Sequence, residues 1–289
     1  MPNPRDCASH QMTSICVNGE MENRIDLLDR GFQYGDGVFT TLRLQEGIPL
    51  FLDQHLERLT RDCVHLAIPP VESMLLRSDI KSVMGDESRG VIKLQVTRGS
   101  GGRGYRAPEI VSPTRVVALH PLPSFLDQYP TEGIEVRYCQ TRLGINPALA
   151  GIKHMNRLEQ ILARSEWSNS RIAEGLMLDH EGYLIEGTMS NLFLVKDGQL
   201  RTPLLDRCGV TGVMRSLIIG AADALKIPLR ECRLTSKDLD TSDEAFMTNS
   251  VMGLWPISRI QEKVFPVGPV TCELREWLMQ SITNQIKVN

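Results

Sequence analysis

Lys153 stands in GIKHMNRLEQ, among glycine and apolar residues and just before a helical pattern. A lysine in a partly desolvated site has a lowered pKa and can form a Schiff base with a carbonyl. A solvated surface lysine is the commoner use of the residue. Glu186 ends an apolar run in LIEGTMSNLF. A carboxylate there could hold a heterocyclic nitrogen protonated, or simply occupy a turn between two strands. In RCGVTGVMRSLI, Gly209 and Gly212 flank Val210 and Thr211 immediately before a helical pattern. Free N–H groups at a helix N-terminus bind phosphate and a threonine hydroxyl adds a donor, although a plain threonine N-cap needs the same geometry. Arg58, in HLERLTRDC, shares a helix with the apolar face Leu56, Leu59 and Cys63. It is either solvated or a bidentate phosphate donor.

Gly99, Gly101 and Gly104 satisfy G-x-G-x-x-G after the strand-like run GVIKLQVT. A dinucleotide fingerprint needs a helix directly after its glycines, because the pyrophosphate rests on the helix N-terminus. Here YRAPEIVSPTR follows, with two prolines, and no Gly-Lys-Ser/Thr completes a P-loop. Both nucleotide readings therefore fail on context, and composition favours a flexible surface loop. The loop carries Arg98, Arg103 and Tyr105. Arginine forks suit carboxylates, so it is a candidate grip for an anionic substrate. In VFTTLRL, strand alternation puts Thr41 and Arg43 on one face and Thr40 on the other.

Two groups of elements must position these residues. In the first, SICVNGE ends on an Asn-Gly hairpin signal, VFTTLRL reads as a strand, and QEG turns the chain into IPLFL. Asp53 is the expected N-cap of a helix through Leu66, and a second helix is expected from about Val71 to Met84. GVIKLQVTR and TRVVALHPL read as strands on either side of the glycine loop. HPLPSFLDQYP, with three prolines, reads as a linker. Beyond it come the strand GIEVRYCQT and a helix from about Asn156 to Trp167. Two strand–turn–strand units follow, LMLDHEGYLIEGT and NLFLVKDGQLRTP. Then come a helix from Gly212 to Leu225, the strand EAFMTNS and a helix from Thr271 to Ile286. Strands and helices mix without a strict βαβα rhythm, which favours α+β. The expected domains are a disordered extension over 1–11, a small N-terminal domain over 12–121, a linker over 122–130 and a larger C-terminal domain over 131–289. Met12 is a second candidate start.

Composition narrows the function class. Of 289 residues, 42% are apolar and 23% charged, an ordinary globular balance. A net charge of −3 argues against nucleic acid or an anionic membrane surface as partner. No apolar stretch approaches the roughly 20 residues of a membrane helix, and the first residues lack a secretory hydrophobic segment. Seven scattered cysteines without C-x-x-C suggest reduced thiols in the cytoplasm. Six histidines show no H-E-x-x-H, and no metal site is expected.

Six motifs, RGFQYGDGVFTT, HLERL, GIKHMNRLE, EGTMSNLF, GVTG and FMTNS, occur in an order that resembles the fold type IV family of pyridoxal-phosphate enzymes. The resemblance runs from about Ile15 to the C-terminal helix. The family includes D-amino-acid and branched-chain transaminases and aminodeoxychorismate lyases. RGSGGRGY and LAGIKHMNRLEQ are similar to the lyase branch more than to the transaminases. The resemblance implies a two-domain architecture, with a small N-terminal α/β domain and a larger C-terminal mixed-sheet domain. It implies pyridoxal 5'-phosphate held by Lys153, with Glu186 at the pyridine nitrogen. Arg58, Val210, Thr211, Asn249 and Ser250 would hold the phosphate. Arg103 and Tyr105 would grip substrate from a loop reaching into the neighbouring subunit of a homodimer, with Arg98, Thr41 and Arg43 as further substrate contacts. The reaction implied is conversion of 4-amino-4-deoxychorismate to 4-aminobenzoate and pyruvate. Phe39 replaces the tyrosine of the D-specific enzymes, and no tyrosine follows Lys153 at the branched-chain position. Transamination is the first alternative, and a non-catalytic protein binding a small anion the second.

Overall fold

The computed structural model describes residues 14–123 and 132–288. The expected disordered extension over 1–11, and all but the first two residues of the expected linker over 122–130, lie outside the described residues.

The first part of the chain comprises β1 (Ser14–Val17), α1 (Arg30–Tyr34), β2 (Gly37–Gln45), β3 (Ile48–Pro49), α2 (Leu52–His65), α3 (Ser73–Met84), β4 (Arg89–Thr97) and β5 (Thr114–His120). Its strands form one antiparallel sheet in the order β1-β5-β4-β2-β3. Strand alternation divides the sheet into two faces. Val38, Leu42 and Leu44 of β2 point into a core with Leu56, Leu59 and Cys63 of α2 and Leu76 and Ile80 of α3. Phe39, Thr41 and Arg43 lie on the opposite, less buried face. The Asn-Gly turn forms, with Val17 bridging Glu20, but β1 pairs with β5 rather than with a hairpin partner. Helix α2 begins one residue before the expected cap: Phe51, at φ 54°, is the N-cap, and Asp53 falls in the first turn.

The second part comprises β6 (Ile134–Tyr138), α4 (Leu158–Arg164), β7 (Ile172–Leu178), β8 (Leu184–Gly187), β9 (Asn191–Lys196), β10 (Gln199–Pro203), α5 (Val213–Ala224), β11 (Leu229–Cys232), α6 (Ser236–Thr241), β12 (Glu244–Asn249), β13 (Gly253–Ile260), β14 (Lys263–Val264) and α7 (Pro269–Val288). Strands β9, β12, β13, β6, β7 and β8 pair in turn, and the Glu186–Asn191 pairing between β8 and β9 closes the ring. Leu192, Leu194, Ala245 and Met247 fill one side of this wall. Phe193, Val195 and Phe246 pack outward against Ile218 of α5 and Leu274 and Leu278 of α7. The Phe193 and Phe246 rings stack at 5.0 Å. Helix α4 is shorter than expected, starting at Leu158 and ending at Arg164. Among the described residues no helix is long and apolar enough to cross a membrane.

Candidate active site

The stretch around Lys153 joins the two parts of the fold. Phe39 N–H donates to Lys153 O at 3.0 Å, and Met155 N–H donates to Gly37 O at 2.9 Å. On the other side, Gly151 N–H donates to Gly209 O at 2.9 Å and Gly151 O accepts from Thr211 N–H at 3.1 Å. Gly151 has φ +78°, and a Cβ there would lie 2.9 Å from Thr211 Oγ1, so the seam requires glycine. Lys153 is thereby fixed between β2 and the loop that leads into α5.

A cavity of about 400 Å³ opens at this seam, within the range of small-ligand sites. Lys153, Glu186, Arg58, Thr41, Val210, Asn249 and Ser250 line it. Lys153 Nζ lies 4.6 Å from the centroid of the Phe39 ring. Burial, then the Arg58 and Arg157 charges, push the Lys153 pKa down to about 7, against the pull of Glu186 and Asp62. Burial pushes the Glu186 carboxyl up. Arg157, the Val210 N–H, Lys153 and Gln160 oppose that shift. Val210 N–H donates to Glu186 Oε2 at 2.8 Å, which fixes the carboxylate in the wall.

Arg58 is buried, and its Nη2 donates to Phe39 O at 3.0 Å. Its Nη1 donates to Asp62 Oδ2 at 2.8 Å. That oxygen also accepts from Lys153 N–H at 3.1 Å, so one buried acid holds both the arginine and the lysine backbone. Burial lowers the Arg58 pKa to about 10, which leaves it cationic at neutral pH. Beside it, His55 Nδ1 lies 2.6 Å from Thr40 Oγ1. Burial and the Arg58 and Lys153 charges push His55 down to about 3, so the ring is neutral. The buried Glu174 carboxylate gathers Thr188 N–H, Thr188 Oγ1, Met189 N–H and Ser190 Oγ, moulding the turn that borders the cavity after Glu186.

Several of the expected contact residues are engaged within the chain. Val210 N–H is taken by Glu186, and Thr211 N–H by Gly151. Thr211 is also absent from the cavity wall. Gly212, Val213 and Met214, at the start of α5, line the cavity, and the first amides of a helix have no intrahelical acceptor. Arg98 does not line the cavity. Its guanidinium pairs with Asp36 and donates to Leu66 O and Ala67 O. These bonds tie the end of β4 to the turn after α2. Arg43 shares the face of Thr41 but is not part of the cavity wall.

The glycine loop has no following helix, in keeping with the rejected dinucleotide reading. Buried Arg30 orders it, donating to Gly104 O at 3.0 Å, Tyr105 O at 3.1 Å and Arg106 O at 3.4 Å. Arg103 and Tyr105 are exposed and do not line this chain's cavity. Asp62, Arg157, Gln160, His55, Glu174 and Arg30 escaped sequence reasoning. The i,i+4 spacing of Arg58 and Asp62 is the one local signal for any of them.

A pyridoxal phosphate molecule fits this donor set. An amine of low basicity and an anchored carboxylate share the cavity wall with a buried arginine and the first turn of α5. Residues 37–260 match the amino-transferase class IV family. The aminodeoxychorismate lyase of Vibrio harveyi is 37% identical over 264 residues, covering 90% of this chain and 97% of that protein. A putative branched-chain-amino-acid aminotransferase of Methanocaldococcus jannaschii is 30% identical, covering 91% of this chain and 94% of that protein. The crystal structure of 4-amino-4-deoxychorismate lyase from Pseudomonas aeruginosa aligns with a TM-score of 0.88 at 43% identity. The alignment covers 92% of this chain and 98% of that one.

Proposed function

The chain belongs to the amino-transferase class IV family, and on that premise we propose that it is a pyridoxal 5'-phosphate-dependent lyase converting 4-amino-4-deoxychorismate to 4-aminobenzoate and pyruvate. The observation that carries the reading is a Lys153 amine of lowered basicity facing one cavity with Glu186. The higher identity to lyases than to the aminotransferase favours elimination over amino-group exchange.

Lys153 would hold the aldehyde of the cofactor and Glu186 its pyridine nitrogen. Arg58, the first amides of α5, Asn249 and Ser250 would hold its phosphate. Bound there, pyridoxal phosphate supplies an electron sink for charge released at the amine-bearing carbon of the substrate. Once the amine of the substrate has replaced it at the aldehyde, the freed Lys153 Nζ would take the proton from that ring carbon. The bond between the ring and the enolpyruvyl oxygen breaks. Lys153 Nζ returns a proton to the methylene of the departing group, which leaves as pyruvate, and the ring becomes aromatic. Atoms and electrons balance within the substrate, so no keto acid is consumed. Thr41, in the cavity wall, supports a contact to the substrate from β2, with Arg43 next along the same face.

That balance sets the test. Purified protein given 4-amino-4-deoxychorismate alone is expected to release fluorescent 4-aminobenzoate and an equal amount of pyruvate. Activity that appears only with an amino-acid and keto-acid pair would overturn the lyase reading in favour of transamination.

The active form is a homodimer. Leu158, Ile161 and Leu162 make a bare apolar stripe on α4, at 72%, 58% and 61% exposure. The exposed loop at Arg103 and Tyr105, outside its own cavity, supports a role in the site of the second copy. Leu162→Glu is expected to halve the mass measured by light scattering and to lower turnover with it. A dimer that survives this change would place the interface elsewhere. The six described cysteines are all free, which supports a cytoplasmic setting.

A further inference from the structure

Lys153 is held through its own peptide, with Asp62 accepting from its N–H and Phe39 donating to its carbonyl. The two flanking carbonyls are taken by one side chain. Arg157 Nε donates to His154 O at 2.8 Å, and Arg157 Nη2 donates to Ile152 O at 3.4 Å. Arg157 is four residues past the lysine and immediately before α4, so its guanidinium folds back over the turn. It is half-buried and lines the cavity beside Lys153 and Glu186. Among the described residues no ion pair within 4.0 Å ties it to a carboxylate. A guanidinium fastened to two main-chain oxygens and left without a close counter-ion keeps its charge available to the cavity.

We propose that Arg157 is the positioning residue of Lys153, clamping the main chain on both sides of the lysine and standing as a fixed cation in the wall that Nζ shares with the Glu186 carboxylate. This rests on the reading of Lys153 as the amine that holds the cofactor. One positive charge then serves both groups. It disfavours the ammonium form of the lysine and favours the ionised form of the acid. Both effects are present: the Arg157 charge pulls Lys153 and Glu186 downward alike.

The other groups around Nζ are accounted for. Arg58 of α2 acts in the same direction as Arg157, while Asp62 of α2 and Glu186 of β8 oppose them. His55 and His154 are neutral, pushed down to about 3 and about 4 by burial and neighbouring cations. Arg157 is distinct from Arg58 in touching the lysine segment itself. Loss of Arg157 should therefore alter both the charge at Nζ and the placement of the lysine.

The test uses the full chain freed of cofactor, with pyridoxal phosphate added back across a pH series. The rate of covalent, borohydride-reducible attachment at Lys153 reports the free-amine fraction. Arg157→Gln is expected to raise the pKa governing this rate by about one unit, a roughly tenfold loss of free amine below that pKa. Arg157→Lys keeps the charge and is expected to hold the pKa within about half a unit. With a looser clamp, it should lower kcat more than it changes KM. A merely structural role would lower the unfolding midpoint of either variant and leave the pKa in place. Arg157→Gln titrating like the unaltered protein would overturn the proposal. So would a full-unit shift in Arg157→Lys, and that arm stands even if the glutamine variant fails to fold. Absence of any attachment at Lys153 in the unaltered protein would instead overturn the cofactor reading.

Discussion

Lys153→Ala is expected to lower the release of 4-aminobenzoate by about 10⁴-fold or more, because it removes the covalent anchor and the proton carrier together. Non-covalent binding of pyridoxal phosphate should persist, since Arg58 and the first turn of α5 are untouched. Borohydride would then leave no label on the chain. The unaltered protein should show the complementary pH dependence. With a pKa of about 7 at Lys153, covalent loading should be flat at higher pH and fall about tenfold per unit below it, as the ammonium form takes over. The sign follows from chemistry, because a protonated amine has no lone pair to offer the aldehyde. Turnover of the alanine variant within tenfold of the unaltered protein would end the assignment of Lys153.

Asp62→Ala is expected to cost about 3–5 kcal/mol of folding stability, read as a lower midpoint in urea. Arg58 and Asp62 are 6% and 1% exposed, and removing the acid leaves a desolvated guanidinium without its partner. The same change releases Lys153 N–H and Arg61, which also donates to Asp62. Its effect on the lysine should be opposite in sign to that of Arg157→Gln. Asp62 favours the ammonium form of Lys153, so its loss should move the loading limb below pH 7. A loss of stability under about 1 kcal/mol, the level of a surface pair, would show that Arg58 does not depend on Asp62.

Much of the fold was legible because periodicity is a local property. The apolar spacing of α2 at Leu56, Leu59 and Cys63, and the alternation of Thr40 against Thr41 and Arg43 in β2, match the observed faces. Short elements escaped. Helix α1 has five residues, too few to display a period. Strand β13 carries Pro256, which argues against a central strand, yet β12 and β6 flank it and its pairing with β6 is irregular between Ile257 and Arg259. Helix α4 is shorter than expected at both ends; at its start, Arg157 precedes the helix and turns its guanidinium back onto the main chain at residues 152 and 154.

By itself the sequence determined which residue types are available for chemistry: the lysine, the acid, the arginine of α2 and the small polar residues before α5. Only the tertiary structure decided which of their atoms remain open to a ligand. Arg98 is consumed by Asp36 and by the carbonyls of Leu66 and Ala67, Val210 N–H by Glu186, and Thr211 N–H by Gly151. Asp62 reaches Lys153 across 91 positions of chain. The reason is physical. A hydrogen-bond donor or a charge is engaged or open according to what folding brings within about 3 Å of it, and a pattern of neighbours along the chain carries no record of partners so distant.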